Sequence, residues 1–343
     1  YLKTLPSLHG LTFNVNVSAI LLGTPGFSDW VLNLVDEIGL PHTALAVEVT
    51  ETAVASDDGH ARANLEALAA AGFGVVLDDF PPFSVKHSKY GAIEITRGCI
   101  YACRFCQTPF LNKARFRHRS VDNVKRWATE LRKSGRKDLR FISPTSLSYG
   151  SPDDSVSLEA VEALLAACQE AMGKDGRVFF GTFPSEVRPE HVTPEALKLL
   201  KKYTANDNLI IGGQSGSERI LESSHRGHDV ESVRRAVALA VEGGFEPNVD
   251  FLLGLPGEDE SDVEATLKLM EELAGKGARV HGHTFMPLPG TPFKRSPPGQ
   301  ISPLAALRLE KLASSGRLYG QWRQQQELAA QLAERRDARL TDP

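Results

Sequence analysis

From about residue 84 onward, short strand-like runs alternate with helix-like runs, and this alternation restricts the fold more than any other feature. Six strand-like runs start at AIEITRG (92–98) and finish at ARVHGHTF (278–285), and each is followed by a helix or a loop. Repeated units of this kind predict a parallel sheet, because parallel strands need long crossover connections. Right-handed crossovers bend such a sheet toward a barrel with functional residues at the strand carboxyl ends.

Helical periodicity places helices between these strands. Ser120 is a plausible N-cap for a helix near 120–134, in which apolar residues recur at helical spacing. The other predicted helices lie at about 156–173, 194–203, 217–223, 230–243 and 260–275. After Pro303 the tail reads as one helix packed on the barrel, with Trp322 as an anchor, followed by a solvent-facing or frayed helix.

Three cysteines follow the first strand directly. Cys99, Cys103 and Cys106 stand in the run CIYACRFC, with the spacing C-x3-C-x2-C. Three such thiolates can hold three irons of a [4Fe-4S] cube and leave the fourth iron without a protein ligand. An open iron indicates chemistry beyond electron storage.

Other interpretations of the three cysteines remain open. A zinc site would need a fourth ligand, and His118 is the nearest candidate in sequence. A redox thiol pair, or three unrelated cysteines, are further alternatives. Cys168 lies among apolar residues and is expected to be buried in a helix. Because three of the four cysteines are already used, a disulfide framework is not indicated.

The cysteine spacing, with Phe105 just before the last cysteine, resembles the signature of the radical S-adenosylmethionine (SAM) superfamily. The resemblance implies that the three cysteines bind a [4Fe-4S] cluster and that SAM binds its open iron. It also implies reductive cleavage of SAM to methionine and a 5′-deoxyadenosyl radical, which abstracts hydrogen from a substrate. An electron donor such as flavodoxin or ferredoxin is the implied partner. The substrate itself cannot be derived.

Two further segments match the same resemblance. SEVRP supplies Ser185, Glu186 and Arg188 as groups that would hold the carboxylate, amino or ribose part of SAM. A surface ion pair is the alternative for Arg188. The segment GGQSGSERIL resembles the fifth-strand segment that lies along the adenosine of SAM, and a plain strand–helix connection is the alternative. Its candidate residues are Gly212, Gly213, Gln214, Ser215, Gly216 and Glu218.

Residues 82–326 most resemble proteins that combine a cobalamin-binding domain with a radical SAM domain. The motifs that carry this likeness are IEITRG, FCQTPF, RFRHRS, NVDFLLGLPGEDE, HGHTFMPLPGTPF and LYGQW. No D-x-H-x-x-G cobalamin-ligand motif occurs in the chain. Cobalamin is therefore compatible with the resemblance but is not supported by the sequence. A methylase that takes cobalamin from a missing domain or a partner is an alternative function.

The first 80 residues carry a different resemblance. The runs LTFNVNVSA, LAVEVTETA and FGVVLDDF, over residues 8–80, resemble the middle of an EAL-type cyclic di-GMP phosphodiesterase. The resemblance implies a βαβαβ fragment of a barrel and a loop-steadying role for Glu51. Its implied divalent-metal candidates are Asn16, Glu48, Asp78 and Asp79. The glutamate of the E-A-L strand is absent, and PPFSVKHSKYG replaces the later part of the family's pattern. We therefore expect no phosphodiesterase activity.

These observations predict three regions: an inactive EAL-like fragment at 1–80, a radical SAM core at 81–300 and a helical extension at 301–343. The join near residue 80 is either a natural fusion, whose first part covers an open barrel edge, or an assembly artefact. A second alternative function is a non-catalytic module that binds cyclic di-GMP, or regulates, through the first region.

Composition adds limits on partners and location. The chain has 343 residues, of which 41% are hydrophobic, and its formal net charge is −4, so we expect neither a nucleic-acid substrate nor a membrane span. We expect a cytoplasmic, oxygen-sensitive enzyme. The basic run KARFRHRS (113–120) is interpreted as a solvated loop or an anion-binding segment. His281 and His283 alternate on one strand and therefore face the same way, as substrate contacts, proton donors or core histidines.

Overall fold

The structure, a computed structural model, describes residues 13–17, 19–50, 59–78, 82–85 and 87–341. The chain separates into two compact units, Tyr1–Pro81 and Pro82–Pro343. Each unit is described by itself below. No helix within the described ranges is both long and apolar enough to cross a membrane.

The first unit is a small parallel sheet with helices between its strands. Its elements are β1 (Phe13–Val17), α1 (Ala19–Leu22), α2 (Phe27–Ile38), β2 (Leu45–Thr50), α3 (Gly59–Ala70) and β3 (Gly74–Asp78). The strand order is β1-β2-β3. Buried Leu22, Val49 and Leu68 contribute to its apolar core. The predicted βαβαβ arrangement is confirmed.

Three of the four metal candidates of this unit lie on its strands. Asn16 is paired in register with Glu48, and Asp78 is the last residue of β3. Asp79 and Glu51 fall outside the described residues.

The second unit contains the seven parallel strands that form its main sheet. They are β4 (Ile93–Glu94), β7 (Asp138–Ile142), β8 (Arg177–Phe179), β9 (Asn208–Gln214), β10 (Glu246–Leu253), β11 (Arg279–Thr284) and β12 (Leu318–Tyr319). They pair in the order β4-β7-β8 and β9-β10-β11-β12. A parallel bridge links Val187, in the segment after β8, to Ile211 of β9. In the part of the chain that the structure describes, no pairing connects β4 with β12, which agrees with the predicted partial barrel.

The sequence interpretation missed the short strands. β12, only two residues long, lies inside the tail that was interpreted as helical. The basic run contributes β6 (Arg117–His118), which pairs antiparallel with β5 (Thr96–Arg97) and flanks the cysteine loop. Two-residue strands have no measurable periodicity, so only their pairing partners reveal them.

The helices of the second unit follow the predicted positions closely. They are α4 (Gln107–Leu111), α5 (Val121–Lys133), α6 (Leu158–Met172), α7 (Pro194–Tyr203), α8 (Glu218–Ser223), α9 (Val230–Glu242), α10 (Glu260–Gly275), α11 (Pro303–Ser314) and α12 (Trp322–Thr341). The predicted cap of α5 is present, since Ser120 Oγ accepts a hydrogen bond from the Asn123 backbone at 3.3 Å.

Two apolar cores fill the space between helices and sheet. Cys168 is fully buried in α6 within the first core, as predicted. Trp322 packs in the second core with Val280 and Leu318. The expectation that the final helix of the tail faces solvent is wrong for the part up to Ala333, because Ala329 and Ala333 of α12 are also buried.

Gly216 allows α10 to approach the end of β9. A Cβ added at Gly216 would lie 2.6 Å from the Ala265 carbonyl oxygen and 2.6 Å from Thr266 Cα. The Thr266 hydroxyl also accepts a hydrogen bond from the Gly216 N–H at 2.9 Å. Backbone atoms cannot yield as a flexible side chain would, so a side chain at this position must push the helix away.

We therefore expect Gly216→Ala to lower the free energy of unfolding by about 1–3 kcal/mol through overpacking. Urea unfolding followed by the fluorescence of Trp127 and Trp322 measures this change. Gly275→Ala at the end of α10 is the matched control: its Cβ would meet no atom within 4 Å, and we expect a change within about 0.5 kcal/mol. Equal stability of the two variants would contradict the packing argument.

Candidate active site

The cysteine loop starts at a glycine that no other residue can replace without distortion. Gly98 follows β5 with φ +82°, and a Cβ there would lie 2.0 Å from the Arg115 carbonyl oxygen. The chain then turns through Cys99, Cys103 and Cys106 and enters α4. The Cys106 N–H donates to the Cys103 carbonyl at 3.0 Å, which closes the turn that contains the last two cysteines.

All three cysteines line one cavity of about 500 Å³. Cys103 is buried, and the other two are partly exposed. Burial raises the pKa of the Cys99 thiol to about 11, and burial also raises the pKa of Cys106. The free thiols of Cys99 and Cys106 are therefore protonated at neutral pH, and a metal that binds these two sulfurs must displace their protons.

The spacing of the sulfurs disagrees with a mononuclear zinc site. In tetrahedral zinc coordination the sulfurs are about 3.8 Å apart, because each Zn–S bond is about 2.3 Å. Within the described part of the chain, the three cysteine sulfurs do not all lie within 4.8 Å of one another, whereas ligand atoms of Asp250, His281 and His283 do. His118, the expected fourth zinc ligand, contacts Thr96 Oγ1 at 3.0 Å and the Ser151 carbonyl at 2.7 Å. Both of its ring nitrogens are thus engaged elsewhere.

Arg226, which sequence reasoning missed, contacts a cysteine sulfur. Its buried guanidinium donates from Nη1 to Cys103 Sγ at 3.6 Å and from Nη2 to the Gly212 carbonyl at 2.8 Å. Nη2 also lies 3.7 Å from Glu186 Oε1. A Cβ at Gly212 would be 2.2 Å from Nη2, so this glycine makes room for the arginine. Arg226 follows a short helix in a loop, where no periodic signal singles it out.

The SEVRP residues lie together beside this arginine. Glu186 lines the cavity, where burial raises its pKa to about 7 although the nearby Arg226 lowers it. Arg188 is buried, which excludes the surface ion pair considered for it. Its guanidinium donates to the Glu190 carboxylate and lies 3.6 Å from the centre of the Tyr101 ring.

Ser185 also lines the cavity, but its hydroxyl is hydrogen-bonded to the backbone at the end of β7. Its Oγ donates to the Phe141 carbonyl at 2.6 Å and accepts from the Ser143 N–H at 2.9 Å. Phe105 lines the same cavity and packs on a small apolar cluster that includes Phe285.

The glycine-rich candidates divide into two sets. Gln214 lines the cavity, with φ 69° at the end of β9. A Cβ at Gly213 would instead lie 2.8 Å from Val249 Cγ1. Ser215 Oγ is 3.2 Å from Thr266 Oγ1, and Glu218 accepts from the Val230 N–H at 2.9 Å. With Gly216 against α10, most of this segment serves helix packing and capping.

A second polar group on the cavity wall combines three elements. Asp250 on β10 lies 2.9 Å from His281 Nδ1, and His283 Nε2 lies 3.1 Å from the same nitrogen. Gln325 Nε2 of α12 lies 3.2 Å from His283 Nδ1. All four residues line the cavity, including both histidines of the alternating pair. Asp250 and Gln325 were not predicted, since each is distant in sequence from its partners.

The residues present fit an iron–sulfur cluster with SAM. Three sulfur donors, a buried cation and a raised-pKa carboxyl group all line one cavity, whose volume is within the usual range of about 300–1,000 Å³ for ligand sites. The Nε of Arg226 has no hydrogen-bond partner among the described residues. A buried donor without a partner at this position is consistent with a bound anionic group.

Comparisons with known proteins give relatives over most of the chain. It is 28% identical over 239 residues to the tRNA-2-methylthio-N(6)-dimethylallyladenosine synthase of Neisseria gonorrhoeae, covering 69% of this chain and 52% of that protein. It is 27% identical over 206 residues to the threonylcarbamoyladenosine tRNA methylthiotransferase MtaB of Thermotoga maritima, covering 59% and 45%. The chain thus spans about half the length of these curated relatives.

Solved structures with similar folds have low sequence identity. The radical SAM methyltransferase TsrM from Kitasatospora setae, with cobalamin and a [4Fe-4S] cluster bound, is 19% identical at a TM-score of 0.49, covering 61% of this chain and 39% of that one. The cobalamin-dependent SAM radical enzyme OxsB, with aqua-cobalamin bound, is 12% identical at a TM-score of 0.47, covering 92% and 48%.

Two family models match the chain. The EAL domain model matches residues 2–100. The model of the radical SAM superfamily matches residues 93–270, more than half of the 343 residues. The chain therefore belongs to the radical SAM superfamily, whose enzymes use a [4Fe-4S] cluster and S-adenosylmethionine.

Proposed function

We propose that Cys99, Cys103 and Cys106 bind the [4Fe-4S] cluster of this enzyme and that SAM lies in the adjoining cavity. The observation that carries the proposal is that all three cysteines line the same cavity as Arg226 and Glu186. When bound, the reduced cluster supplies the electron that cleaves SAM to a 5′-deoxyadenosyl radical, which abstracts hydrogen from the substrate.

The chain's own residues would position and shield these groups. Arg226 would place a positive charge beside Cys103, which offsets the negative charge of a thiolate-bound cluster. Glu186 would offer a carboxyl oxygen to the amino group of SAM, and Gln214 an amide to its ribose. Phe105 would exclude water from the cluster. Among the candidates of the glycine-rich segment, we keep Gln214 for direct contact and assign the rest to support.

Removal of one cysteine tests the cluster assignment. We expect Cys106→Ala, reconstituted without oxygen, to lose most of its iron relative to the wild type and to form no 5′-deoxyadenosine with SAM and dithionite. Iron analysis, EPR spectroscopy of the reduced protein and chromatography of the product measure this. Cys168→Ala is the control, because Cys168 is buried in the core of α6 and should leave iron and product unchanged. Full iron content in Cys106→Ala would refute the assignment.

RNA is a second candidate for the substrate class, in contrast to a small molecule. The support is the sequence similarity to two enzymes whose names specify tRNA nucleosides. Lys113 and Arg115, in the basic run after α4, are exposed and available to phosphates. The net charge of −4 gives no support of its own, so the argument rests on the relatives and this local run.

The RNA candidate predicts a salt-dependent affinity for a tRNA transcript. The double variant Lys113→Gln/Arg115→Gln should bind more weakly, and its slope of log K against log salt should fall by about 1.4–1.8, since each phosphate contact contributes about 0.7–0.9. Lys174→Gln/Lys198→Gln removes two exposed lysines elsewhere and should leave the slope unchanged. Equal slopes in the wild type and both variants would remove RNA as a candidate.

For the remaining regions we propose a radical SAM core at 81–300, completed by the extension at 301–343, and an inactive EAL-like fragment at 1–80. Inactivity is supported by the segment PPFSVKHSKYG after Phe80, which replaces the later part of the family's pattern. An incomplete metal site cannot activate water for phosphodiester hydrolysis. Calorimetry with cyclic di-GMP tests whether this fragment binds the nucleotide.

A further inference from the structure

The cavity wall formed by Asp250, His281, His283 and Gln325 contains a hydrogen-bond chain with a fixed direction. Its first link is the Thr284 backbone N–H, which donates to Gln325 Oε1 at 2.9 Å. A backbone N–H can only donate, so this contact identifies which end of the Gln325 amide is the oxygen. The amide nitrogen must therefore face the other way.

That nitrogen fixes the tautomer of His283. Gln325 Nε2 lies 3.2 Å from His283 Nδ1, and an amide N–H₂ group can only donate. Nδ1 must accept this bond, and the single proton of the neutral ring is then on Nε2. Burial lowers the pKa of His283, and nearby His281 lowers it further although Asp250 and Gln325 raise it, so the ring is neutral at physiological pH.

In this chain of hydrogen bonds, the contact between Asp250 and His281 is left without a proton. The proton on His283 Nε2 points to His281 Nδ1 at 3.1 Å. A second proton on Nδ1 would set two N–H groups against each other, so Nδ1 accepts. The same Nδ1 lies 2.9 Å from Asp250 Oδ1, which is also an acceptor. A single ring nitrogen cannot accept from His283 and donate to Asp250 at the same time. Asp250 and His281 thus form a pair of acceptors that lacks a donor.

We propose that Gln325 is a positioning residue that holds the proton of His283 on Nε2 and thereby keeps the Asp250–His281 pair open to a hydrogen-bond donor. The donor is a hydroxyl or ammonium group of the molecule bound in the cavity. His281 is held in place by stacking on Tyr319, with ring centroids 4.4 Å apart and planes 6° from parallel. The inference does not depend on which cofactor fills the cavity.

A metal ion is the competing explanation of the same cluster. Ligand atoms of Asp250, His281 and His283 all lie within 4.8 Å of one another. A nitrogen that carries a proton cannot ligate a metal, however, so His283 would first have to move its proton to Nδ1. The Gln325 amide would then have to turn, which brings its N–H₂ group against the Thr284 N–H. The observed bonds favour the proton network over the ion.

The test reads the tautomer directly. In full-length protein labelled with ¹⁵N-histidine, two-bond ¹H–¹⁵N correlation distinguishes Nδ1–H, Nε2–H and doubly protonated rings, with His283→Gln to assign the signals. We expect the Nε2–H form of His283 at neutral pH in the wild type. The tautomer is read in the wild type, and a variant is needed only to assign the signals.

The decisive variant is Gln325→Glu, which has nearly the same shape. One carboxylate oxygen can still accept from the Thr284 N–H, but the other can only accept from His283. We expect the His283 proton to appear on Nδ1, or the ring to become doubly protonated with a pKa raised by about one unit or more. Gln324→Glu, an exposed neighbour on the same helix with the same charge change, should leave His283 unchanged.

Three outcomes would overturn the proposal. The first is an Nδ1–H tautomer in the wild type, and the second is a Gln325→Glu spectrum that matches that of Gln324→Glu. The third is joint broadening of the His281 and His283 signals by micromolar Mn²⁺ in the wild type, since the cluster would then be a metal site. Because none of these readouts uses SAM cleavage, failure here is distinct from failure of the radical SAM assignment.

Discussion

The buried guanidinium of Arg226 connects the parts of the candidate site. It contacts a cysteine sulfur, a strand carbonyl and a carboxyl group, which belong to the cysteine loop, β9 and the segment after β8. A buried cation lowers the stability of the fold unless its N–H donors are paired with acceptors. These partners are therefore held at fixed positions around the guanidinium. The absence of a side chain at Gly212 is what leaves space for the group. Without Arg226 the cysteine loop would lose one of its contacts to the sheet that supports it.

The fold was largely predictable because it rests on patterns that are local in the sequence. Periodic apolar residues located the helices, and Ser120 identified the start of α5. The cysteines were visible because they are spaced within one short loop. Two-residue strands such as β12 were not visible, since they exist only through pairing with a distant strand.

The site was less predictable for the same reason. Arg226 is 123 residues from Cys103, and Gln325 is 42 residues from His283. Such pairs are brought together by the packing of distant strands, loops and helices, which no short window of sequence contains. Gly216 illustrates the reverse case, because a glycine pattern typical of ligand approach also permits close packing of a helix. The sequence alone cannot distinguish a glycine that makes room for a ligand from one that makes room for a helix. The structure can, because it shows which atoms a Cβ at that position would meet.

The contribution of α12 to the cavity has a consequence for the biogenesis of the enzyme. The cavity wall includes both Cys99 and Gln325, which are 226 residues apart in the sequence. The cavity therefore has an open side until α12 has been synthesised and has docked against β11. During that interval the cysteine loop is already synthesised but the wall around it is incomplete, so the cavity forms only after α12 has emerged from the ribosome.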